Sequence, residues 1–250
     1  MSERQLPKPK RGATRLCGVL AVDKPAGMTS HDVVDRLRWI TGEGRIGHAG
    51  TLDPDATGLL LICIGPATKR SEKLMEHDKT YEARVVFGAA TTTDDAAGEI
   101  LRTAAVPAEV ADADFARLVL ASFLGEQQQL PPQFAAIKKD GRKAYELARK
   151  GEKVELEPRS VVFHEIDLLG TGAEYWDIRA RVSKGTYLRA LARDLGEAVG
   201  SAAHLGQLRR TRIGRVAVER AQTLEQLEQL GRLGQGGELM RFWLTRDELA

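Results

Sequence analysis

Six consecutive apolar residues, Leu59–Ile64, constrain the fold of this chain more than any other stretch. A short apolar run of this kind is typical of a strand buried on both faces, so the rest of the chain must supply a core around it. The preceding residues, Gly47–Gly58, include three glycines, which allow tight turns, and the pair Asp53-Pro54. Proline biases the residue before it towards an extended backbone, which places the Asp53 carboxylate at the entrance of a core strand. Asp-Pro is also common in ordinary turns, and the pattern alone leaves both interpretations open.

The composition narrows the class of protein. With 250 residues, 42% of them hydrophobic, the chain is long enough to bury a large core. A net charge of +2 gives no overall sign of nucleic-acid binding, so any basic surface must be local. Cys17 and Cys63 are far apart, which argues against a disulfide framework or a cysteine zinc site and favours a reduced, cytoplasmic location. We expect neither a metal site nor a membrane span.

Regular patterns predict both strands and helices. Residues 80–87 and 174–182 alternate apolar and polar side chains, as half-buried strands do, and Tyr81 falls on the inner face. A helix is predicted from Ser30, as its N-cap, to Gly42.

A junction from strand to helix is predicted at residues 183–189, with Thr186 as the N-cap. The N-terminus of a helix presents backbone N–H groups that favour anions. Lys184, Tyr187 and Arg189 therefore lie where a phosphate or carboxylate could be held. A purely structural pairing of Arg189 with a nearby acid is the alternative.

Two further patterns receive no functional role. Residues 42–47 match the G-x-G-x-x-G pattern of dinucleotide-binding sites, but that site needs a strand before the glycines and a helix after them. Here a helix precedes them and a loop follows. The adjacent acids Asp94 and Asp95 lack the further ligand spacing of a metal site and are interpreted as solvated loop residues.

Local basic segments occur in two places. Residues 138–153 are rich in lysine and arginine around Tyr145, a mixture that suits phosphate contact and base stacking. A solvated amphipathic helix over residues 143–150 explains the pattern equally well. Residues 204–218, predicted as two short strands around Gly214, contain four arginines and no acid.

The separated motifs together resemble the TruB family of tRNA pseudouridine synthases. The resemblance covers about residues 16–220. It rests on Lys24-Pro25-Ala26-Gly27-Met28-Thr29-Ser30, Gly47-His48-Ala49-Gly50-Thr51-Leu52-Asp53-Pro54 with Thr57-Gly58, Lys79-Thr80-Tyr81, Ser183-Lys184-Gly185-Thr186-Tyr187-Leu188-Arg189 and Leu208-Arg209-Arg210, in the family's order. It implies an α+β pseudouridine synthase fold, with a mixed, mostly antiparallel sheet flanked by helices.

The resemblance also implies an activity. Members of the family isomerise uridine-55 in the T loop of tRNA to pseudouridine without a metal or an organic cofactor. By resemblance, Asp53 is the catalytic carboxylate and Arg189 lies beside it, favouring its ionised form. Tyr81 stacks on the flipped base, Tyr187 and Leu208 line the pocket, and His48 supports the displaced loop. The carboxylate could act as a nucleophile or as a general base, and the sequence leaves both routes open.

The expected partner is the T arm of tRNA, with no obligate protein partner. The residues predicted to contact its backbone are Lys138, Lys139, Arg142, Lys143, Lys184, Arg209 and Arg210.

The same resemblance predicts how the chain is divided. Residues 1–15 form a flexible basic tail, residues 16–230 the catalytic domain with a basic RNA-binding insert at 127–153, and residues 231–250 a short, loosely attached tail. Many family members end in a small RNA-binding domain of the PUA type, and the residues after Arg220 are too few for one.

Two other functions are alternatives. A non-catalytic tRNA-binding or tRNA-folding protein on the same scaffold is the first, although intact Asp53, Tyr81 and Arg189 argue against it. A hydrolase with a pair of aspartates is the second. That chemistry needs a second placed carboxylate, and Asp55 is not favoured for that role.

Overall fold

The computed structural model describes residues 9–12, 14–135, 138–139, 142–143, 156–232 and 236–250. Of residues 138–139, 142–143, 231–232 and 236–237 only the backbone is considered. The chain forms two compact units. The terminal unit comprises the chain up to Lys79 together with Arg209–Ala250, and the central unit comprises Thr80–Leu208.

The described strands, in chain order, are β1 (Gly18–Lys24), β2 (Ile46–Ala49), β3 (Thr57–Ile64), β4 (Lys79–Phe87), β5 (Ala89–Thr91), β6 (Ile100–Thr103), β7 (Gly125–Gln129), β8 (Lys138–Lys139), β9 (Arg142–Lys143), β10 (Arg159–Gly172), β11 (Tyr175–Val182), β12 (Ala203–Ile213), β13 (Val216–Ala217) and β14 (Gln222–Thr223). The described α-helices are α1 (Ser30–Thr41), α2 (Ser71–Met75), α3 (Ala113–Ala121), α4 (Leu188–Ala198) and α5 (Leu224–Arg232). Short 3₁₀ segments span Gly65–Arg70, Ala108–Ala111, Val218–Arg220 and Gly236–Phe242.

Strand β3 is the centre of the terminal unit. It pairs antiparallel with β1 and β2 and parallel with the C-terminal part of β12. Residues Leu59–Ile64 are at most 1% exposed, which confirms the predicted strand buried on both faces. Leu60, Ile62 and Ile64 pack in one cluster with side chains of α1 and α5, while Leu59, Leu61 and Cys63 pack in a second cluster.

Helix α1 begins one residue earlier than predicted. Its N-cap is Thr29, whose hydroxyl accepts from Asp32 N while the Asp32 carboxylate accepts from Thr29 N, forming a capping box. The expected cap, Ser30, is instead buried within the first turn. Two consecutive hydroxyl residues both fit a cap locally, and the contacts of Ser30 elsewhere decide between them.

The two ends of the chain are held more firmly than predicted. Leu239, Leu244 and Leu249 are buried, and Leu244 N donates to Val19 O on β1 at 2.8 Å, so the C-terminal segment is part of the core. This result is at odds with a loosely attached tail.

The predicted flexible tail also makes contacts. The buried Glu43 carboxylate accepts from Gly12 N at 2.6 Å and from Thr14 N at 3.2 Å, so the later residues of the tail are bound to the loop after α1. The first eight residues lie outside the described part of the chain.

The central unit has the strand order β12-β4-β11-β10-β7. Strand β10 pairs antiparallel with both β11 and β7. Alternation along β4 and β11 is as predicted, because the inward residues of both strands are buried: Tyr81, Ala83, Val85, Phe87, Trp176, Ile178, Ala180 and Val182. The α+β class with a mixed, mostly antiparallel sheet is confirmed.

The junction before α4 differs from the sequence prediction. Tyr187 occupies the N-cap position without a side-chain cap, and the Thr186 hydroxyl donates to Ser183 O at 3.0 Å. Thr186 therefore stabilises the preceding turn rather than the helix end.

None of the described helices is long and apolar enough to cross a membrane. Within the same part of the chain, no group of three or more His, Cys, Asp or Glu side chains could hold a metal ion.

Candidate active site

The candidate residues are distributed over both units, and each unit is considered separately. Asp53, His48, Arg209 and Arg210 belong to the terminal unit. The central unit contains the other described candidates, Tyr81, Lys184, Tyr187, Arg189 and Leu208.

The loop that carries Asp53 is fixed through the peptide groups on either side of it. Ser30 Oγ accepts from Leu52 N at 2.9 Å and donates to Leu52 O at 3.1 Å. On the other side, Pro54 O accepts from Lys24 Nζ at 2.8 Å and from Met28 N at 3.3 Å. Asp53 thus lies between two residues whose backbones are held by neighbouring elements, which limits where its carboxylate can point.

Lys24 is completely buried at the end of β1. Its ammonium donates to three carbonyl oxygens, those of Pro25 at 2.8 Å, Met28 at 2.6 Å and Pro54 at 2.8 Å. Burial lowers the pKa of Lys24 to about 8, although the nearby charges of Asp55 and Asp53 act in the opposite direction. A cation is therefore held beneath the Asp53 loop by backbone dipoles.

Arg210 is a second buried cation of the terminal unit, with 1% of its surface exposed. Its guanidinium donates to Leu59 O at 2.7 Å, Gly50 O at 3.1 Å and Thr51 O at 3.5 Å. This burial does not fit the predicted contact between Arg210 and an RNA phosphate, because the donors point into the protein. The sequence pattern placed Arg210 in a basic segment but gave no sign of its burial.

The neighbouring Arg209 is half-buried and paired. Its guanidinium donates to both carboxylate oxygens of Asp23, at 3.1 Å and 2.8 Å. Any contact with RNA would have to share this guanidinium with Asp23.

His48 lies on β2, opposite Ile62 of β3. Its pKa is lowered by burial and, to a smaller extent, by the charges of Arg210 and His31. Nδ1 is buried and has no hydrogen-bond partner among the described residues. Burial therefore favours the neutral form of the ring, which lies on the strand just before the Asp53 loop.

In the central unit, Arg189 lies in the first turn of α4 and is 5% exposed. Its guanidinium donates to Thr93 O and to Phe134 O, both at 3.1 Å. The carboxylate of Asp95 lies 3.6 Å away, between Oδ2 and Nη1. The loop at residues 91–98 thus positions the guanidinium of Arg189.

The two acids of that loop were given no role by the sequence analysis, and both prove structural. Asp95 accepts from Thr93 Oγ1 at 2.5 Å, and Asp94 pairs with Arg193 at 3.0 Å. Burial raises the pKa of Asp94, which also adopts a left-handed backbone with φ of 60°. The available sequence signal was the cluster of Thr and Asp residues, which is typical of turns whose side chains bond to their own backbone.

The remaining candidates of the central unit differ in exposure. Tyr81 is 9% exposed on β4, whereas Lys184 is exposed in the turn before α4. The backbone of Tyr187 is fixed by Gln129, which accepts from Tyr187 N at 2.9 Å and donates to Tyr187 O at 3.1 Å. Leu208 is partly buried on β12.

The basic insert is described only in part. Strands β8 and β9 pair antiparallel, with Lys138 opposite Lys143 and Lys139 opposite Arg142. The side chains of these four residues lie outside the described part of the chain, as do Tyr145 and, apart from the backbone of Lys143, the alternative helix over residues 143–150. Their contact with RNA stays a prediction.

Comparison with known proteins identifies the family. Residues 38–188 match the profile "TruB family pseudouridylate synthase (N terminal domain)". Residues 189–241 match the profile "tRNA pseudouridylate synthase B C-terminal domain".

Curated relatives are similar over most of this chain. A protein of Cupriavidus metallidurans named "tRNA pseudouridine synthase B" is 49% identical over 83% of this chain and 66% of its own length. A Burkholderia mallei protein with the same name is 45% identical over 88% of this chain and 70% of its own length. This chain therefore spans about two thirds of the length of these relatives.

Solved structures show the same relationship. A chain of an archaeal box H/ACA sRNP Nop10–Cbf5 complex is 26% identical, with a TM-score of 0.65 over 90% of this chain and 57% of that chain. A chain of a Cbf5–Nop10–Gar1 complex is also 26% identical, with a TM-score of 0.70 over 93% of this chain and 61% of that chain. Together with the family profiles, these matches show that the chain belongs to the TruB family of pseudouridylate synthases.

Proposed function

We propose that this chain isomerises a uridine of tRNA to pseudouridine, with Asp53 as the catalytic carboxylate. The observation that carries the proposal is the Asp53 loop, in which Ser30 and Lys24 hold the peptide groups on either side of one carboxylate. The relatives named tRNA pseudouridine synthase B support tRNA as the substrate.

The reaction breaks the bond between ribose C1′ and N1 of uracil, rotates the base and joins it again through C5. C5 loses its proton in the process and N1 gains one, so the composition does not change. A carboxylate suits this task as a nucleophile or as a general base. No net oxidation or reduction takes place, and in our proposal no cofactor takes part.

We further propose that the target is uridine-55 in the T loop and that it leaves its stack before reacting. Extrusion costs roughly a few kcal/mol of stacking, which protein groups must replace. Tyr81 and Tyr187 are the proposed aromatic partners, with Leu208 beside them and His48 supporting the displaced loop. Arg189 is the proposed partner of the Asp53 carboxylate, a pairing that rests on the family resemblance.

The tRNA backbone is proposed to contact the basic insert at residues 127–153 together with Lys184 and Arg209. Such contacts supply affinity and orientation rather than base identity. Because the substrate is tRNA, we place the protein in the cytoplasm.

The test uses an unmodified tRNA transcript. Pseudouridine in the T loop is assayed after incubation with the wild type, with Asp53→Asn and with Asp55→Asn, which changes an exposed carboxylate of the same loop. Product is expected from the wild type and Asp55→Asn and none from Asp53→Asn. Equal product from all three would remove Asp53 from the mechanism, and tRNA binding without product from the wild type would support the non-catalytic alternative.

A further inference from the structure

We infer that Arg210 is a positioning residue of the Asp53 loop, acting on the reaction through the loop backbone and not by contacting RNA. The inference rests on the proposed function, in which Asp53 is the reacting carboxylate. It reassigns a residue whose sequence context predicted a phosphate contact.

The hydrogen bonds of Arg210 join the two ends of the loop. Gly50 and Thr51, whose carbonyls accept from Nη2 and Nη1, lie where the chain leaves β2, and Leu59, whose carbonyl accepts from Nε, lies in β3. Beyond the last β2–β3 pair, Ala49 with Leu61, a single rigid group therefore ties the start of the segment that contains Asp53 to its end.

The backbone of Arg210 is fixed to the same segment. Arg210 pairs with Gly58 where β12 runs parallel to β3. Gly58 has φ of 99°, and a Cβ built on it would lie 2.2 Å from Arg210 O, so only glycine fits there. The side chain thus reaches across the loop from a backbone that is itself locked to the end of the loop.

The role requires a guanidinium. Its planar fork presents donors in several fixed directions, whereas the ammonium of a lysine is a compact point charge on a flexible stem. Lys24 and Ser30 hold the middle of the loop, next to Asp53, and Arg210 holds its ends. These tasks are complementary. Loss of the Arg210 fork would release Gly50 and Thr51, which lie beyond the paired residues of β2 and β3.

A positioning role predicts a specific pattern of effects. A displacement of about 1 Å at a reacting group can cost about a hundredfold in rate. We therefore expect Arg210→Lys to lower kcat by about tenfold to a hundredfold while the dissociation constant for tRNA stays within about twofold of the wild type. A phosphate contact would instead weaken tRNA binding and reduce the slope of log affinity against log salt by about one.

The first measurement does not depend on activity. Hydrogen–deuterium exchange is followed at residues 50–59 of the free protein for the wild type, Arg210→Lys and Arg212→Ala. Arg212 is the matched control, since it is an arginine on the same strand with an exposed side chain. Faster exchange at residues 50–59 in Arg210→Lys alone supports the inference, whereas exchange equal to that of the wild type overturns it.

The second measurement distinguishes a role of Arg210 in positioning the loop from a contact with an RNA phosphate. The single-turnover rate constant, kcat and the tRNA affinity at several salt concentrations are measured for Arg210→Lys and for Arg210→Ala. The measurements on Arg210→Ala are repeated with a low concentration of guanidinium chloride. Lower kcat with unchanged affinity, partly restored by guanidinium in Arg210→Ala, supports positioning. Unchanged kcat, or a loss confined to affinity and salt slope, contradicts it.

The outcomes distinguish a failure of the inference on Arg210 from a failure of the proposed function. If Arg210→Ala does not fold, Arg210→Lys, which keeps the charge and most of the side-chain volume, still gives both measurements. If the wild type forms no pseudouridine, the proposed function fails, while the exchange at residues 50–59 still decides whether Arg210 holds the loop.

Discussion

Arg210 of the terminal unit and Arg189 of the central unit are both buried arginines that hold a loop by its backbone carbonyls. They differ in what surrounds them. Arg189 has the Asp95 carboxylate 3.6 Å away. The hydrogen bonds described for Arg210 go to three peptide oxygens, and another buried cation, Lys24, lies close enough for the Arg210 charge to lower the pKa of Lys24. The loop at Arg189 places a carboxylate beside its arginine. The hydrogen bonds described for Arg210 all end on peptide dipoles.

The different surroundings of these two buried arginines have different energetic consequences. A buried charge is tolerated when it is paired or fully hydrogen-bonded. Peptide dipoles can solvate Arg210, but they make the region sensitive to any change that moves the loop. A carboxylate beside Arg189 tolerates small shifts better, because an ion pair has no strict directionality. We therefore expect the terminal unit to respond more strongly to backbone changes and the central unit to respond to charge changes.

The largest effect is expected from Gly58→Ala. The new Cβ would meet the Arg210 backbone at 2.2 Å, and φ of 99° is strained for alanine, so the free energy of unfolding should fall by about 4 kcal/mol. Gly185→Ala is the control in the central unit, because Gly185 has φ of 81° but no atom within 4 Å of its Cβ position. It should lose only about 1 kcal/mol. Urea unfolding of both variants measures the difference, and equal losses would show that crowding beside Arg210 is unimportant.

The next effect concerns the pH dependence of stability. The pKa of Lys24 is about 8 in the folded protein, compared with an ordinary value of 10.5 for lysine. Between these values the unfolded state binds more protons, so the contribution of Lys24 to the free energy of unfolding rises with pH, by up to about 3 kcal/mol. Urea unfolding between pH 7.5 and about pH 10.5 should therefore show a rise that Lys24→Met lacks.

Lys184→Met is the control for this experiment, because Lys184 is exposed in the central unit. It should follow the wild type at every pH. If Lys24→Met also followed the wild type, Lys24 would not be the buried cation responsible for the pH dependence.

The smallest effect tests the carboxylate beside Arg189. Asp95→Asn keeps the shape of the side chain but removes its charge, and the guanidinium retains Thr93 O and Phe134 O as acceptors. We expect a loss in kcat of about tenfold, equivalent to about 1.4 kcal/mol, with little change in tRNA affinity. Single-turnover assays on a tRNA transcript measure it. A rate equal to that of the wild type would mean that the Asp95 charge is not needed to position Arg189.

Local patterns were the most predictable part of the fold. The apolar run of β3 and the alternation of β4 and β11 are confirmed, because periodicity reflects which faces a strand buries. Predictions that depended on distant partners were less accurate, as Ser30 and the C-terminal segment show.

Ser30 illustrates why such predictions fail. Both Thr29 and Ser30 are good cap residues, and the local signal in favour of Thr29 is Asp32 three positions later, with which it forms a capping box. The Ser30 hydroxyl lies against Leu52, a residue 22 positions further along the chain. It forms hydrogen bonds with both the backbone N–H and the backbone C=O of Leu52. No local pattern contains that contact.

The identities of Asp53, Tyr81 and Arg189 as candidates, and the family itself, followed from the order and chemistry of short motifs, because such motifs consist of adjacent residues. The separate roles of Arg209 and Arg210 did not. The two are chemically identical neighbours, yet one pairs with Asp23 while the other is buried against three carbonyls. Successive residues of a strand point to opposite faces, and what lies on each face depends on chain segments about 150 residues earlier. Burial and hydrogen-bond partners are properties of the folded chain. They are the reason why we infer that Arg210 positions the Asp53 loop instead of contacting RNA.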